Sequence, residues 1–473
     1  MQSFIESFTN IVGQINALAW GPPMLVLLVG THIFLTIRTR GIQRYIGKAI
    51  KISVSKDEGS EGDISQFGAL ATALAATIGT GNIVGVATAV ALGGPGAVLW
   101  CWLTGVFGIA TKYGEALLAV KYRVRTKDGT MLGGPMYALE RGLKQKWLAV
   151  IFAIFAAIAA FGIGSSTQAN SLSVMVKTQF GISPWITSIV IAALVALVII
   201  GGVQSIAKVC TLLVPFMAAF YVIGCIVLLV MNWQFLGQTF VVIFKSAFTS
   251  QAATGGFVGS SLMAAARFGI ARGLFSNESG LGSAAIAAAA ARTKNPVRQA
   301  MVSMTGTFWD TVVICLMTGL VLVSSMLKFP GKFASGLEGG DLTHQAFTQF
   351  PVVGPILLTV GLATFVFSTI LGWSYYGERC VEYLFGKKGI LPYKVIYIAT
   401  AFLGGVASLG LVWDIADTLN GLMAVPNLVA LLLLSGVIVK ETRKYLWDDH
   451  GAMLSETNPD EIPLRMSKDG TPI

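Results

Sequence analysis

Ala75-Ala76-Thr77-Ile78-Gly79-Thr80-Gly81-Asn82-Ile83-Val84-Gly85-Val86-Ala87 sits inside an apolar run that extends from Phe67 to Leu92. Its centre, Gly79-Thr80-Gly81-Asn82, is too glycine-rich and polar to continue a helix through lipid undisturbed. A second run, Phe257 to Ala291, is interrupted in the same way by Ser276-Asn277-Glu278-Ser279-Gly280. In hydrocarbon, backbone N–H and C=O groups stay unpaired by helix only where they line a cavity or bind something. Paired interruptions at matching places in two halves of a membrane chain therefore point to a solute site near the bilayer midplane.

The rest of the chain fits a membrane setting. It is 54% hydrophobic and 12% charged, with a mean hydropathy of +0.73. A crossing helix takes about 20 residues. Eleven spans can be read, at 18–37, 66–92, 97–120, 148–174, 185–203, 209–231, 257–291, 299–326, 354–378, 391–411 and 413–439. The intervening loops leave no room for a soluble domain, and Gly21-Pro22-Pro23 opens or kinks the first span. Glu6 precedes the first apolar run where a signal peptide would carry basic residues, so a cleaved leader is not expected.

A net charge of +10 is not the footprint of a nucleic-acid face, because the basic residues sort by side. Arg38, Arg40, Arg44, Lys48, Lys51 and Lys56 fill loop 38–65, and Lys121, Arg123, Arg125, Lys127, Arg141, Lys144 and Lys146 fill loop 121–147. Arg292, Lys294 and Arg298, then Lys387, Lys388 and Lys394, then Lys440, Arg443 and Lys444 follow spans seven, nine and eleven. The opposite loops carry Lys177, Lys245, Lys328 and Lys332. The positive-inside rule then places the N-terminus outside and the C-terminus in the cytoplasm, as an odd number of spans requires. Cys101, Cys210, Cys225, Cys315 and Cys380 lie singly and are read as packing residues, which suggests neither zinc nor a disulfide framework. His32, His344 and His450 are scattered. Neither a catalytic constellation nor a bound cofactor is expected, and the chain does not read as an enzyme.

Setting aside the first span (18–37) leaves ten as five plus five: a first repeat over 64–232, a second over 255–440, and a cytoplasmic tail, 441–473. Each repeat opens with an interrupted helix. An odd number of spans per repeat inverts the second copy, which is the plan of inverted-repeat transporters. The abundance of small residues, with 54 glycines in all and the alanine run Ala287–Ala291, suits close helix packing in lipid.

Helix ends carry roughly half a charge, negative at the C-terminus and positive at the N-terminus. The half-helix 66–77 would end at the midplane with free carbonyls, and the next would begin near Ile83 with free N–H groups. Gly79 and Gly81 have no Cβ to block a solute, and the amides around Gly81 and Asn82 suit a carboxylate. Carbonyls near Gly273–Phe275 in the second break would accept from an ammonium. A ligand with both charges close together, an α-amino acid, fits this pair of breaks.

Ser368 and Thr369 in span nine either bond back to the preceding turn or, with carbonyls near Ala75 and Ile78, form an all-oxygen sodium site. Gln168 and Asn170 in span four tie helices together, or Gln168 reaches the substrate carboxylate. Asp310 lies about twelve residues past Arg298, roughly 18 Å into span eight. It is a candidate counter-charge for the cation or the ammonium, or a structurally bonded acid. Glu278 caps the half-helix that follows it or serves the site, and Lys112 and Glu115, at i,i+3, read as an ion pair reaching toward the Glu278 loop. Arg267 and Arg272 are read as gate or interface residues.

The stretch quoted first resembles the signature of the alanine/glycine:cation symporter family. So do Arg272-Gly273-Leu274-Phe275-Ser276-Asn277-Glu278-Ser279-Gly280-Leu281-Gly282-Ser283 and Ser368-Thr369-Ile370-Leu371-Gly372-Trp373-Ser374-Tyr375-Tyr376-Gly377-Glu378. The resemblance implies the leucine-transporter fold and import of alanine or glycine with sodium by alternating access. It implies sodium between the first broken helix and Ser368/Thr369, and a pocket around Thr80, Gly81, Gln168, Phe275, Ser276 and Trp373. Ser283-Ala284-Ala285-Ile286-Ala287-Ala288 departs from the family's more usual Ser-Ala-Pro-Ile-Ala-His. Independently, the bulk of Phe275 and Trp373 favours a small substrate. The alternatives are coupling to H⁺, exchange, or a channel, and a channel would need a continuous polar stripe or carbonyl filter. The expected partners are a small amino acid, Na⁺ and the lipid bilayer, with no nucleic acid.

Overall fold

The structure is a computed structural model that describes residues 2–55, 60–249, 262–333, 337, 339–407, 410–448, 452–458 and 460–466. Lys56, His450, the start of the seventh span at 257–261, the first residues of the second repeat at 255–261, 408–409 between spans ten and eleven, and the tail beyond 466 lie outside the described residues.

The described chain is almost entirely helical, with one short antiparallel pair, β1 (Val124–Arg125) and β2 (Met131–Leu132), in a loop. Seven helical stretches among the described residues are long and apolar enough to cross a membrane: Phe8–Arg38, Lys146–Phe180, Gly202–Met231, Pro296–Lys328, Val353–Phe385, Lys387–Val406 and Asp414–Leu433. A bent pair, Gln66–Thr77 with Gly81–Gly93, makes an eighth, turning by 51° at its break. The other three expected spans are helical too, as Ala97–Lys121, Pro184–Ile199, and Leu262–Asn277 followed by Ser283–Ala289.

The helices that position the site are α1 (Pro22–Arg38), α2 (Gln66–Thr77), α3 (Val86–Gly93), α4 (Ala97–Lys121), α5 (Lys146–Phe161), α6 (Thr167–Phe180), α7 (Pro184–Ile199), α8 (Leu262–Asn277), α9 (Ser283–Ala289), α10 (Pro296–Thr307), α11 (Leu316–Lys328), α12 (Val353–Phe385), α13 (Ile390–Val406) and α14 (Gly410–Leu433). Their starts follow capping chemistry. Ser65 Oγ accepts the Gly68 amide at the head of α2. Asn295 Oδ1 accepts the Arg298 amide at the head of α10, where Pro296 has no N–H and so needs no acceptor.

Packing divides these helices into two groups. In one, α4 lies against α8, α9 and α10, and α8 packs on α3. In the other, α12 packs on α5 and α6, and α7 and α6 pack on α13. The groups meet where α2 lies along α12. Gly372 allows that approach, since a Cβ there would fall 2.6 Å from the Ala76 amide nitrogen. Small residues permit such contacts where the hydrophobic effect gives no drive between helices in lipid. On the basic side the tail crosses the bundle ends. Leu464 bridges in parallel to Arg125, Lys121 pairs with Asp460 at 2.7 Å, and Asn295 Nδ2 donates to Leu454 O and Glu456 O.

Candidate functional site

Helix α2 stops at Thr77 because Ile78 turns extended, with φ −78° and ψ 94°. The Gly79 amide, which would otherwise continue the helix, donates instead to Asn82 Oδ1 at 2.8 Å, and the Asn82 amide returns to Gly79 O at 3.2 Å. Helical winding resumes over Gly81–Gly85 as a π-turn, ahead of α3. Thus the first break falls where the sequence places it, with helix regained two residues earlier than Ile83.

The Ile78 carbonyl released by this break faces α12, where Thr369 Oγ1 donates to it at 3.2 Å. Two oxygens at that separation can be bridged by a hydroxyl proton or can share a hard cation held by bonds of about 2.3–2.6 Å. Ser368, in the same turn, sends its hydroxyl proton back to Phe365 O at 2.9 Å. The structure therefore brings Thr369 to Ile78 and leaves Ser368 bonded within its own helix. Ala75 is fully buried one turn back.

Gln168 joins the break from the side. Its Oε1 accepts the Thr80 amide at 3.3 Å, and its Nε2 donates to Ile163 O at 3.1 Å. Ile163 belongs to a π-turn, Gly162–Ser166, between α5 and α6. Both ends of the Gln168 amide are thus engaged, one of them with an N–H of the first break. Asn170 instead donates to Gly404 O on α13, which ties helices together. Trp373 lies against the same π-turn, with its Cβ 2.3 Å from where a Gly164 side chain would start, and its ring 5.6 Å from that of Tyr376.

The second break requires a correction. Ser276 and Asn277 remain in the last turn of α8, and the unwound stretch is Glu278–Gly282. The Glu278 amide closes the helix on Leu274 O at 3.0 Å, and Glu278, Gly280 and Gly282 take φ of +55°, +93° and +86°. One of the carbonyls expected to face an ammonium, that of Leu274, is therefore spent on capping. The polar group that α8 does present is Ser276 Oγ, which donates to Asp310 at 3.1 Å.

Asp310 is the hub between the breaks. It is fully buried in a π-helical segment, Phe308–Cys315, and also accepts from Asn82 Nδ2 at 2.7 Å and from Thr311 Oγ1 at 2.6 Å. Phe275 closes the gap, its Cδ1 lying 3.3 Å from where a Gly81 Cβ would stand. Cys315, read as packing, borders this cluster, with Sγ 3.4 Å from Asn82 Nδ2 and 3.3 Å from Ser276 Oγ. Its position five residues past Asp310 was the available signal. Arg267 and Arg272 face a small cavity of about 170 Å³ with Phe275, Trp20 and Asp417.

Thr80, Gly81, Asn82, Phe275, Ser276 and Asp310 thus lie at or between the two breaks, Gln168 reaches the first, and Trp373 packs on the π-turn beside Gln168. Such turns are frequent at functional sites. Arranged this way, the region offers an oxygen pair suited to a hard monovalent cation, a buried carboxylate suited to an ammonium, and apolar walls that leave little room for a side chain.

The model of the sodium:alanine symporter family matches residues 5–458. Sodium/alanine symporter AgcS of Methanococcus maripaludis is 54% identical over 446 residues, covering 93% of this chain and 97% of that protein. An uncharacterised transporter of Haemophilus influenzae is 51% identical over 92% of this chain and 96% of that protein. Among solved structures, MhsT in complex with L-phenylalanine matches at a TM-score of 0.52, over 81% of this chain and 98% of that one, with 14% identity. At that identity the likeness speaks for the leucine-transporter fold alone.

Proposed function

The chain belongs to the sodium:alanine symporter family, and on that premise we propose that it imports alanine or glycine with Na⁺ by alternating access between the two helix groups. It is a membrane-embedded, sodium-coupled symporter of the leucine-transporter fold and not an enzyme. The observation that carries the site reading is the meeting of Thr369 Oγ1 with the Ile78 carbonyl beside the Asp310–Asn82–Ser276 cluster.

In this reading Na⁺ takes oxygens from the end of α2, near Ala75 and at Ile78, together with Thr369 and its neighbour Ser368. Asp310, presented by Ser276, balances the substrate ammonium. The break amides of Thr80, Gly81 and Asn82, steered by Gln168, take the carboxylate, while Phe275 and Trp373 limit the side chain. The five-span repeats, 64–232 and 255–440, supply one break each, and the basic loops face the cytoplasm, with the N-terminus outside. No cofactor takes part beyond the coupling ion.

The energetics suffice. One Na⁺ crossing 100 mV gains about 2.3 kcal/mol, and a tenfold gradient adds about 1.4 kcal/mol. Together they support accumulation of a neutral zwitterion by roughly 500-fold. Labelled-alanine uptake into proteoliposomes tests this. Saturable uptake that rises with an inward sodium gradient supports the reading, and uptake indifferent to sodium refutes it.

A further inference from the structure

The unwound stretch Glu278–Gly282 carries a second buried polar cluster that the symport reading does not use. Glu115 on α4 reaches it with one carboxylate oxygen, Oε1, which accepts from the Gly280 amide (2.8 Å), the Gly282 amide (3.0 Å) and Asn427 Nδ2 (2.7 Å). Its other oxygen, Oε2, faces Lys112 Nζ at 3.8 Å, and neither of those two atoms has a hydrogen-bond partner among the described residues. Glu278 itself accepts from Ser283 Oγ. Lys112, Glu115 and Glu278 are 4%, 3% and 2% exposed, so none can rely on bulk water.

The charges do not balance. Two carboxylates, Glu115 and Glu278, meet at this loop beside one ammonium, and Asp310, bonded to Ser276 two residues before Glu278, adds a third negative charge nearby. Two further titratable groups, His32 and Tyr376, face the cluster. His32, from α1, is held through Nδ1 by Thr111 Oγ1 at 2.7 Å, and Tyr376 comes from α12; among the described residues neither His32 Nε2 nor the Tyr376 hydroxyl has a partner. Buried charge in such excess is paired with a cation or neutralised. Sodium needs several free oxygens around it. Here Glu115 Oε1 is occupied by three N–H donors and Oε2 is set toward the Lys112 ammonium, whose like charge repels a second cation, so no such cage is offered. A proton needs one lone pair.

We propose that Glu278, set against the Lys112–Glu115 pair, is a proton-binding site in the second broken helix, separate from the sodium site and loaded and unloaded during transport. With Glu278 protonated, one ammonium faces one carboxylate and the local charge is closed. The link to transport is mechanical. Glu278 follows Ser276 and Phe275 by two and three residues on the end of α8, and the Glu115 clamp holds the loop that separates α8 from α9. Helix α14, which supplies Asn427 to the Glu115 clamp, packs on α5 of the opposing helix group, so motion between the groups alters the clamp beside Glu278 and with it the preference for the proton.

This inference rests on the symport reading, and the experiment separates the two. Purified wild-type protein in weak buffer with a pH-indicator dye receives alanine and NaCl together, and proteoliposomes report sodium-driven alanine uptake between about pH 5.5 and 8.5, where buried acids titrate. The expected result is a proton signal on ligand addition and uptake that varies with pH, approaching about tenfold per unit on the limiting limb. Glu278→Gln keeps an acceptor for Ser283 and is expected to abolish the proton signal and flatten the profile while sodium-driven uptake persists. His32→Gln is expected to leave both unchanged. A wild type with no proton signal and a flat profile overturns the proposal without needing any variant to fold, as does a signal lost in His32→Gln and kept in Glu278→Gln. Failure of wild-type uptake to respond to sodium strikes the symport reading instead.

Discussion

Gly79→Ala is the substitution that most directly questions the sodium site. A Cβ at this position would stand 2.5 Å from Thr369 Oγ1 and 3.3 Å from Gln168 Oε1. The first figure is about 0.9 Å inside ordinary contact, so Thr369 must move by nearly that much, and its bond to Ile78 O, already 3.2 Å, opens beyond hydrogen-bond range. Gly79 does not occupy a positive φ, so alanine meets no backbone strain and the contact alone is tested. An oxygen withdrawn from a charged partner costs about 1.5–3 kcal/mol, which is roughly 10- to 150-fold in sodium affinity.

Two assays read this independently. In proteoliposomes the sodium concentration for half-maximal alanine uptake should rise by that factor. In detergent, ligand stabilisation follows RT ln(1 + [L]/Kd), so a sodium level giving about 2.7 kcal/mol in the wild type should give about 1.4 kcal/mol or less in the variant. Overpacking also lowers stability by about 1–3 kcal/mol whatever the ligand. The informative quantity is therefore the sodium-dependent increment in Tm, not Tm itself. A Gly79→Ala protein that keeps the wild-type increment and the wild-type sodium dependence would remove the Ile78–Thr369 pair from the cation site.

Three further outcomes are expected. Gln168→Ala leaves the buried Thr80 amide without its acceptor, at about 1–3 kcal/mol, and should weaken alanine binding by roughly 5- to 150-fold; unchanged affinity in equilibrium binding would return Gln168 to a purely helix-packing role. Phe275→Ala should widen the pocket beside Gly81 and raise uptake of larger amino acids relative to alanine, each added methylene being worth about 1–3 kcal/mol; a variant with unchanged selectivity would place Phe275 outside the pocket wall. At the basic face, Lys121 beside Asp460 holds that carboxyl below its usual range. The contribution is therefore present above the ordinary carboxylate pKa and lost as pH falls through the lowered one. The pair is partly exposed and worth under about 1 kcal/mol, so Asp460→Asn should make the tail only modestly easier to cleave in limited proteolysis at neutral pH, with the difference from wild type closing in acid.

The first break was legible because two glycines and an asparagine inside an apolar run leave few other readings. The second was displaced by two residues, for a local reason: Ser276 and Asn277 look like breakers, yet the Glu278 amide caps on Leu274 O and extends the helix through them. A non-glycine residue at φ +55° is not a pattern that composition announces. The three π-turns were not legible either, since one extra residue in a turn leaves the apolar pattern nearly intact. On α12, sequence assigned Ser368 and Thr369 to the cation together, whereas the structure brings only Thr369 to the Ile78 carbonyl. Adjacent helical residues point about 100° apart, so only one of the pair can meet the Ile78 carbonyl, and which one depends on how α12 is rotated against α2.

That rotation is the step at which local chemistry becomes a site. Gly372 sets how closely α12 approaches Ala76 on α2, and Gly79 leaves the volume into which Thr369 fits. Remove either allowance and the hydroxyl and the released carbonyl no longer meet, although every polar group named in the sequence is still present. The same logic governs the second break. The motif residues Glu278, Gly280 and Gly282 make an unwound stretch possible, but what holds its shape is Glu115 from α4 and Asn427 from α14, neither of them in the motif. Each break is held by a helix from elsewhere in the chain, α12 for the first and α4 for the second. The first belongs to the opposing helix group and the second to the same group as α8, so relative motion of the groups would strain the sodium pair directly and would reach the Glu115 clamp through Asn427 of α14, which packs on α5. A cation bound at Ile78 and Thr369 would resist that motion, and this is why sodium occupancy, more than substrate contact alone, should decide when the groups are free to move.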